Sequence, residues 1–536
     1  MKKRLLFLLL FIVLAMPVFS SCTDGDGFPD LKDLRERIHF CEFNIKSPEP
    51  QYLSTEVTCA SRASYFYSCS CGKHSKKTFY YGEKEPHVYC FEIAEKEFLC
   101  KGATIESSAY YYVSCKCGST GEEVFMYGEP LVAEDYLPTS LTVSLQDPSR
   151  VAYGFTFNTK KAPVEPVIQI KEVGEDEWSE YPLTYKEFSS YNTDDTQFKY
   201  YVSKGFAELL PNTAYIYRAY DKGACIGTSE SRLVTKDPNA QTFTFAHISD
   251  TQNGESEFGR VLSSIVDNVD FAIHTGDIVE NSKYEEEWER MLDGNFEYVS
   301  MLPIMAISGN HETTYKSGTN ELYKHFYNYF PPQSSVQVGY FYSFVYGNVK
   351  FIMLNTNDFF TNELTEEQYN WLVNELESNT CKWTVVAMHH PLYSVGVYGA
   401  DSSKNAKTLA LRAQLQGLFA EYGVDLVLEG HDHVISRTYP IDENGIPRSE
   451  NIEAVNGVDY IRDPDGVIYS MNGTSGNQSK EPYLIDPEIF AIAQGSNKAS
   501  WAEITVSEDT LTVVVKWLDG NEEKVYCSWG IKKLDN

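Results

Sequence analysis

The chain has 536 residues, too many for one hydrophobic core, so several domains of about 100–200 residues each are expected. Hydrophobic content of 42% and charged content of 23% are ordinary for globular protein, and 14% aromatic residues favour strand-rich architecture over a helical bundle. A formal net charge of −31 repels nucleic-acid phosphates and anionic lipid surfaces, which excludes nucleic acid as a routine partner.

The N-terminus has the pattern of an export leader. Lys2, Lys3 and Arg4 precede an apolar run from Leu5 to Phe19, and Ser20, Ser21 and Cys22 follow. A cysteine directly after small residues resembles a bacterial lipobox. The resemblance implies a signal peptide over 1–21, lipidation of Cys22, a linker over 22–37 and attachment to a membrane by the lipid anchor. An uncleaved transmembrane anchor is the alternative, and the run is short for a bilayer span. Both readings place the rest of the chain outside the cytoplasm, as a bacterial membrane lipoprotein or at the cell surface. Removing the leader takes the formal charge to −34.

Residues 38–132 contain eight of the 12 cysteines and an internal repeat. One copy reads Cys59, then Cys69-Ser70-Cys71-Gly72, then Tyr81-Gly82-Glu83. The other reads Cys100, then Cys115-Lys116-Cys117-Gly118, then Tyr127-Gly128-Glu129. With Cys41 and Cys90 upstream, the pattern predicts two small modules of four cysteines each. Two disulfides per module is the first reading outside the cell, and four thiolates around zinc is the second. Units this small need such staples. Spacing or adhesion, with a cell-surface ligand as partner, is the role expected of them.

From 138 to 238 apolar residues alternate in Leu141–Leu145, Val151–Phe157 and Val167–Ile170, as in half-buried strands. The stretch from Phe206 to Arg218, with Thr213, Tyr215 and Tyr217, resembles a fibronectin type III sandwich, in which a tyrosine secures a corner. No cluster of nucleophiles or metal ligands occurs there. An all-β sandwich packed on the next domain is the expectation.

Between 241 and 530 apolar strands alternate with helical stretches, the first of these from Phe258 to Asn268. Phe243–Ser249 ends at Asp250, Val269–Thr275 at Gly276-Asp277, and Leu302–Ser308 at Gly309-Asn310-His311-Glu312. Trp383–Met388 ends at His389-His390-Pro391, and Val424–Glu429 at Gly430-His431-Asp432-His433. Five strands thus deliver carboxylate, carboxamide and imidazole at their C-terminal ends, where α/β sheets hold ligands. Those donors suit hard or borderline divalent metals. The absence of thiolates excludes a structural zinc site at this place. Glycines before Asp277, Asn310 and His431 allow sharp turns. Singly, Asp250 reads as a helix cap, Asn310 as a turn residue and His389 as a core histidine. The ordered set does not.

Asp250-x-Gln252, Gly276-Asp277, Gly309-Asn310-His311-Glu312, His389-x-Pro391 and Gly430-His431-x-His433 together resemble the calcineurin-like metallophosphoesterases. The preceding sandwich and Ile468–Asn477 point toward the purple acid phosphatase branch. The resemblance implies an α/β sandwich of two mixed β-sheets flanked by helices, with two divalent metal ions (Mn, Zn, Fe or Mg). It places Asp277 between the metals, Asp250 and His433 at one, and Asn310, His389 and His431 at the other. His311 would stand beside the substrate, and Glu312 would orient its imidazole. Two positions depart from the pattern. Glu280 stands where purple acid phosphatases carry the tyrosine that colours their iron, and Gln252 stands where other members use a histidine. Gln252 can ligate through its carbonyl oxygen. A histidine pair that some purple phosphatases carry is missing from 392–407.

The function expected is hydrolysis of phosphate esters outside the cytoplasm, by in-line attack of metal-activated hydroxide. The alternative is a surface binding protein whose metallophosphoesterase domain is inactive. Cleavage of a phospholipid head group or a pyrophosphate is chemically close to the first reading. Tyr315, Tyr340, Tyr342, Tyr393 and Tyr398 are candidates to stack on substrate.

Overall fold

The computed structural model describes residues 41–312, 341–357, 361–400, 403–483, 485–495, 498–520 and 522–534. The expected leader, Cys22, the linker, Tyr315 and Tyr340 lie outside the described residues. The chain divides into two compact units, one ending at Glu129 and lacking 103–107, the other made of 103–107 and everything from Pro130 onward.

The first unit is built from two hairpins, Ala63–Ser68 with His74–Tyr81 and Ala109–Cys115 with Thr120–Tyr127. Each turns on a Cys-x-Cys-Gly tip. Gly72 and Gly118 adopt φ of 85° and 86°, a region that glycine enters without a Cβ penalty, and their N–H groups donate back to Cys69 and Cys115. The two copies superimpose in register at a forty-six-residue step. Leu53 pairs with Tyr65 as Leu99 pairs with Tyr111, and Tyr65 pairs with Phe79 as Tyr111 pairs with Phe125. This register corrects the expected alignment of Cys59 with Cys100. Each copy holds four cysteines, but Cys41 is equivalent to His87, Cys59 to Ile105 and Cys100 to Ser54, so the two sets do not align position by position. Nor are the closest sulfurs bonded: Cys41 and Cys71 stand 3.4 Å apart and Cys59 and Cys115 3.3 Å, against about 2.05 Å for a disulfide.

In the second unit, two antiparallel sheets come first. Thr139–Asp147, Ala152–Thr159, Thr184–Tyr191 and Gln197–Glu208 form one of them. Pro166–Glu172, Ser179–Pro182, Ala214–Asp221, Ile226–Gly227 and Ser231–Val234 form the other. Inward residues alternate along Ala214–Asp221, as a sheet with one buried face requires. The Tyr215 hydroxyl accepts from the Leu210 N–H at 3.0 Å, a tyrosine holding the corner upstream of its own strand. Tyr217, fully buried, donates its hydroxyl to the Ser300 carbonyl in the following domain. Tyr217→Phe leaves that carbonyl without its donor. It should lower stability by about 1–3 kcal/mol, read in denaturant melts, with turnover unchanged.

The remainder packs two mixed sheets face to face. The first runs in the order Ile304–Ala306, Phe271–His274, Phe243–Ile248, Ser500–Val506, Thr510–Asp519, Glu522–Lys532, Val458–Arg462, Ile452–Val455. The second runs Tyr342–Tyr346, Val349–Met353, Trp383–Ala387, Leu426–Glu429, Ile468–Asn472, Ile435–Thr438, Phe490–Gln494. Helices cover the outer faces: Glu255–Ile265 and Glu285–Leu292 on the first sheet, Glu366–Glu377 and Ala406–Glu421 on the second. The helix expected from Phe258 begins one turn earlier, after Gly254. Phe245, Phe271, Phe351, Val385 and Ile504 fill the space between the sheets. The same buried cluster continues without a break into Leu141, Phe155 and Tyr217 of the preceding sandwich.

Candidate functional site

Three parallel strands of the first sheet and two of the second end at one place. Ile248 is followed two residues on by Asp250, His274 three residues on by Asp277, and Ala306 four residues on by Asn310. From the facing sheet, Ala387 leads to His389 and Glu429 to His431. Asp250, Asp277, His431 and His433 adopt φ of 53°, 55°, 76° and 58°. Left-handed backbone costs a non-glycine residue about 1–3 kcal/mol. Four such residues in one buried cluster indicate a site whose geometry outranks local comfort. Gly309 is required by the same crowding: a Cβ there would stand 2.0 Å from Asp277 Oδ1.

The side chains form two groups that share Asp277. Asp277, His389 and His431 make one, and Asp250, Asp277 and His433 the other; within each group the donor atoms lie within 4.8 Å of one another. Asn310 Oδ1 joins the first, 3.1 Å from His389 Nε2. Gln252 joins the second, with Nε2 3.4 Å from His433 Nε2. His389 and His433 each direct Nδ1 at a backbone carbonyl, Thr275 at 2.8 Å and Gln478 at 2.7 Å. Donation there fixes the tautomer and turns the Nε2 lone pair into the site. Gln252 Oε1 is buried beside them with no hydrogen-bond partner. A buried carbonyl oxygen left unsatisfied in this cluster fits a cation. The donor set of carboxylate, carboxamide and imidazole fits the hard or borderline divalent class.

Residues 243–435 match the calcineurin-like phosphoesterase family. An uncharacterized protein of Mycobacterium tuberculosis is 25% identical over 315 residues, 52% of this chain and 59% of that one. Purple acid phosphatase 15 of Arabidopsis thaliana is 26% identical over 198 residues, 36% of this chain and 32% of that one. The chain therefore spans less than two thirds of the curated relatives it matches. A purple acid phosphatase from yellow lupin seeds shares the fold, with a TM-score of 0.63 over 78% of each chain at 19% identity.

Burial within the phosphoesterase-like region would lower His389, but Asp277 and then Asp250 outweigh it and push the imidazole up to about 9. Burial and the neighbouring His389 push His431 down to about 3, so its ring is neutral. Burial works to raise Asp250 and Asp277, and His433 and His389 respectively hold them below the usual carboxylate range. Below about pH 9 a cation must displace the His389 proton, so affinity should rise about tenfold per pH unit between about pH 6 and about pH 8. Calorimetry in buffers of different ionisation enthalpy should register about one proton released, and a pH-independent affinity would contradict the assignment.

Other contacts correct or extend the sequence reading. Glu312 does not orient the His311 ring. Burial and then the Asp277 charge raise its pKa to about 7, and its carboxyl accepts from the N–H groups of Asp277, Ile278 and Gly309 at 2.9, 2.8 and 2.6 Å. His311 Nδ1 instead faces the Glu280 carbonyl at 2.6 Å, and its Nε2 lies 3.8 Å from Asp277 Oδ2. The Glu280 carboxylate accepts from Asn253 and Gln478, and Gln478 is the residue whose carbonyl holds His433. Asp432, between the two histidines, accepts from Ser394 Oγ and the Tyr398 N–H. That clamp sets the Tyr398 ring 4.1 Å from the His431 ring. Tyr342 and Tyr393 are buried elsewhere, their hydroxyls donating to the Ala306 carbonyl and Gln416, so neither is a substrate platform. The sequence places Glu280 and Asp432 beside the motifs but shows neither their partners nor Gln478, because each acts on a residue distant along the chain.

Proposed function

We propose that this chain is an extracytoplasmic phosphoesterase that hydrolyses phosphate esters with two divalent metal ions. The observation that carries the reading is the sharing of Asp277 between two ligand groups. Asp277 would bridge the ions. Asp250, His433 and Gln252 would complete one position, and Asn310, His389 and His431 the other. When bound, the ions (Mn, Zn, Fe or Mg) supply neutralisation of the phosphate oxygens and a water acidic enough to act as nucleophile near neutral pH. The calcineurin-like match and the fold shared with a purple acid phosphatase support the reaction class. The leader pattern and Cys22 support export and lipid anchoring.

The chain's own groups would do the rest. His311 is the one imidazole of the set that is partly open, with 28% of its side chain exposed. Burial would lower it, but Asp277 and the Glu280 carbonyl raise it above the usual histidine value, which favours the protonated ring. From that position it stabilises charge on the transferred group or protonates the leaving oxygen. Glu312, by gathering three backbone N–H groups, holds the loops that carry Asp277 and His311. Glu280 stands where a colouring tyrosine would be, so the centre is expected to lack a visible charge-transfer band from tyrosine to iron.

The test is release of phosphate or alcohol from monoester and diester panels by the exported chain with manganese, zinc, iron, magnesium or no metal. Asn310→Ala should lower kcat about a hundredfold, whereas Tyr185→Ala on the exposed face of the sandwich should leave it unchanged. Stoichiometric metal without turnover on any ester would instead favour a binding protein with an inactive domain.

A further inference from the structure

The hairpin unit carries a second cluster of metal-ligating atoms, far in kind from the first. Cys59, His87, Cys115 and Cys117 offer three sulfurs and one imidazole nitrogen, all within 4.8 Å of one another. Cys59 Sγ and Cys115 Sγ are 3.3 Å apart, and Cys117 Sγ and His87 Nδ1 3.4 Å. A tetrahedral zinc bound at about 2.3 Å to sulfur holds its sulfurs about 3.8 Å apart, and a disulfide holds them at about 2.05 Å. The observed spacing lies on the metal side.

The repeat register supplies an independent argument. His87 is the equivalent of Cys41, each twenty-eight residues before the first cysteine of its hairpin tip. Cys41 Sγ faces Cys71 at 3.4 Å, and His87 Nδ1 faces Cys117, the equivalent of Cys71, at the same distance. One repeat position therefore holds cysteine in one copy and histidine in the other, against the same partner. Imidazole cannot enter a disulfide, whereas cysteine and histidine exchange freely as zinc ligands. The backbone is arranged for that role. Tyr89 pairs with Cys115, which brings His87 beside the tip, and the His87 ring stacks on Tyr89 at 5.6 Å. Gly121 leaves room for Tyr89 there; a Cβ would come within 2.9 Å of the ring.

We infer that Cys59, His87, Cys115 and Cys117 form a structural zinc site. Four protein ligands close the coordination shell, so the ion is a fastener and not a catalyst. Cys59 comes from the turn of the first repeat and the other three from the second, so the ion rivets the two repeats together. The set is separate from the dinuclear cluster, which contains no sulfur.

Cobalt(II) reports on this directly, because sulfur-to-cobalt charge transfer absorbs in the near ultraviolet and oxygen or nitrogen donors do not reproduce it. The full chain carrying Cys41→Ser, which disables the neighbouring three-cysteine group, should show that band saturating at one equivalent. Adding Cys117→Ser should abolish it, and His87→Ala should weaken binding at least tenfold. In the wild-type protein purified without reductant and holding zinc, alkylation mapping should find Cys59, Cys115 and Cys117 blocked until the metal is chelated and reactive afterwards. A charge-transfer band that is absent, or unchanged by Cys117→Ser, overturns the proposal. So does a disulfide-linked peptide joining Cys59 to Cys115 or Cys117 in the wild-type map, a reading that needs no variant to fold.

Discussion

Asp277→Asn is expected to lower kcat about a thousandfold or more and to leave the purified protein with less than one equivalent of catalytic metal. Asp277 is the residue common to both ligand groups. Losing its charge removes the anion that both positions share and the main attraction on His389. The substitution is chosen because it should spare the fold. Asparagine is among the few residues that enter the left-handed region readily, and φ here is 55°. Its oxygen can still accept the His311 N–H that Asp277 Oδ1 accepts at 2.9 Å. Metal content by mass spectrometry, kcat on the best ester and the melt of the metal-free proteins separate the possibilities. Retention of both ions with a tenth of the rate would overturn the proposal that Asp277 bridges them.

His311→Ala is expected to cost about 10²–10³ in kcat while both ions remain, as for loss of one preorganised donor. No ligand contact is lost by truncating the ring, since its nearest carboxylate oxygen is 3.8 Å away and its Nδ1 bond goes to a backbone carbonyl. The pH profile gives the role away. If the protonated ring works in the transition state, the wild-type rate should fall on the alkaline side as His311 deprotonates. The variant should lose that limb and keep the remainder of the curve. A uniform drop with the alkaline limb intact would assign the limb to another group.

Much of the site was legible because each candidate ligand sits directly after an apolar strand, so its position along the chain and in space coincide. Asp250, Asp277, Asn310, His389 and His431 obey that rule, and the structure brings all five together. His433 follows by its spacing, and Gln252 by its distance from Asp250. What was illegible depends on contacts across long loops. Glu280 reaches His433 through Gln478, and Asp432 reaches Tyr398 through a bend at Gly396, whose missing Cβ would stand 2.3 Å from the Asp432 carboxyl carbon. The strands Ser500–Val506 and Thr510–Asp519 insert beside Phe243–Ile248 as an antiparallel pair that carries no ligand and so drew no attention. In the hairpin unit, residue type misled. Cys59 and Cys100 look alike along the chain, but the register of the β-pairs aligns Cys100 with Ser54 and frees Cys59 to meet the next repeat.

The apolar interior that runs unbroken from the antiparallel sandwich into the space between the catalytic sheets has a consequence for how the molecule comes apart. Phe155 and Tyr217 on one side and Phe245 and Phe271 on the other belong to a single buried cluster, so neither layer keeps a dry face once the other opens. Calorimetry should then record the sandwich and the two catalytic sheets as one cooperative transition. A truncated protein starting near residue 241 should expose that face and precipitate, which makes the sandwich an obligate half of the folding unit and not a removable accessory.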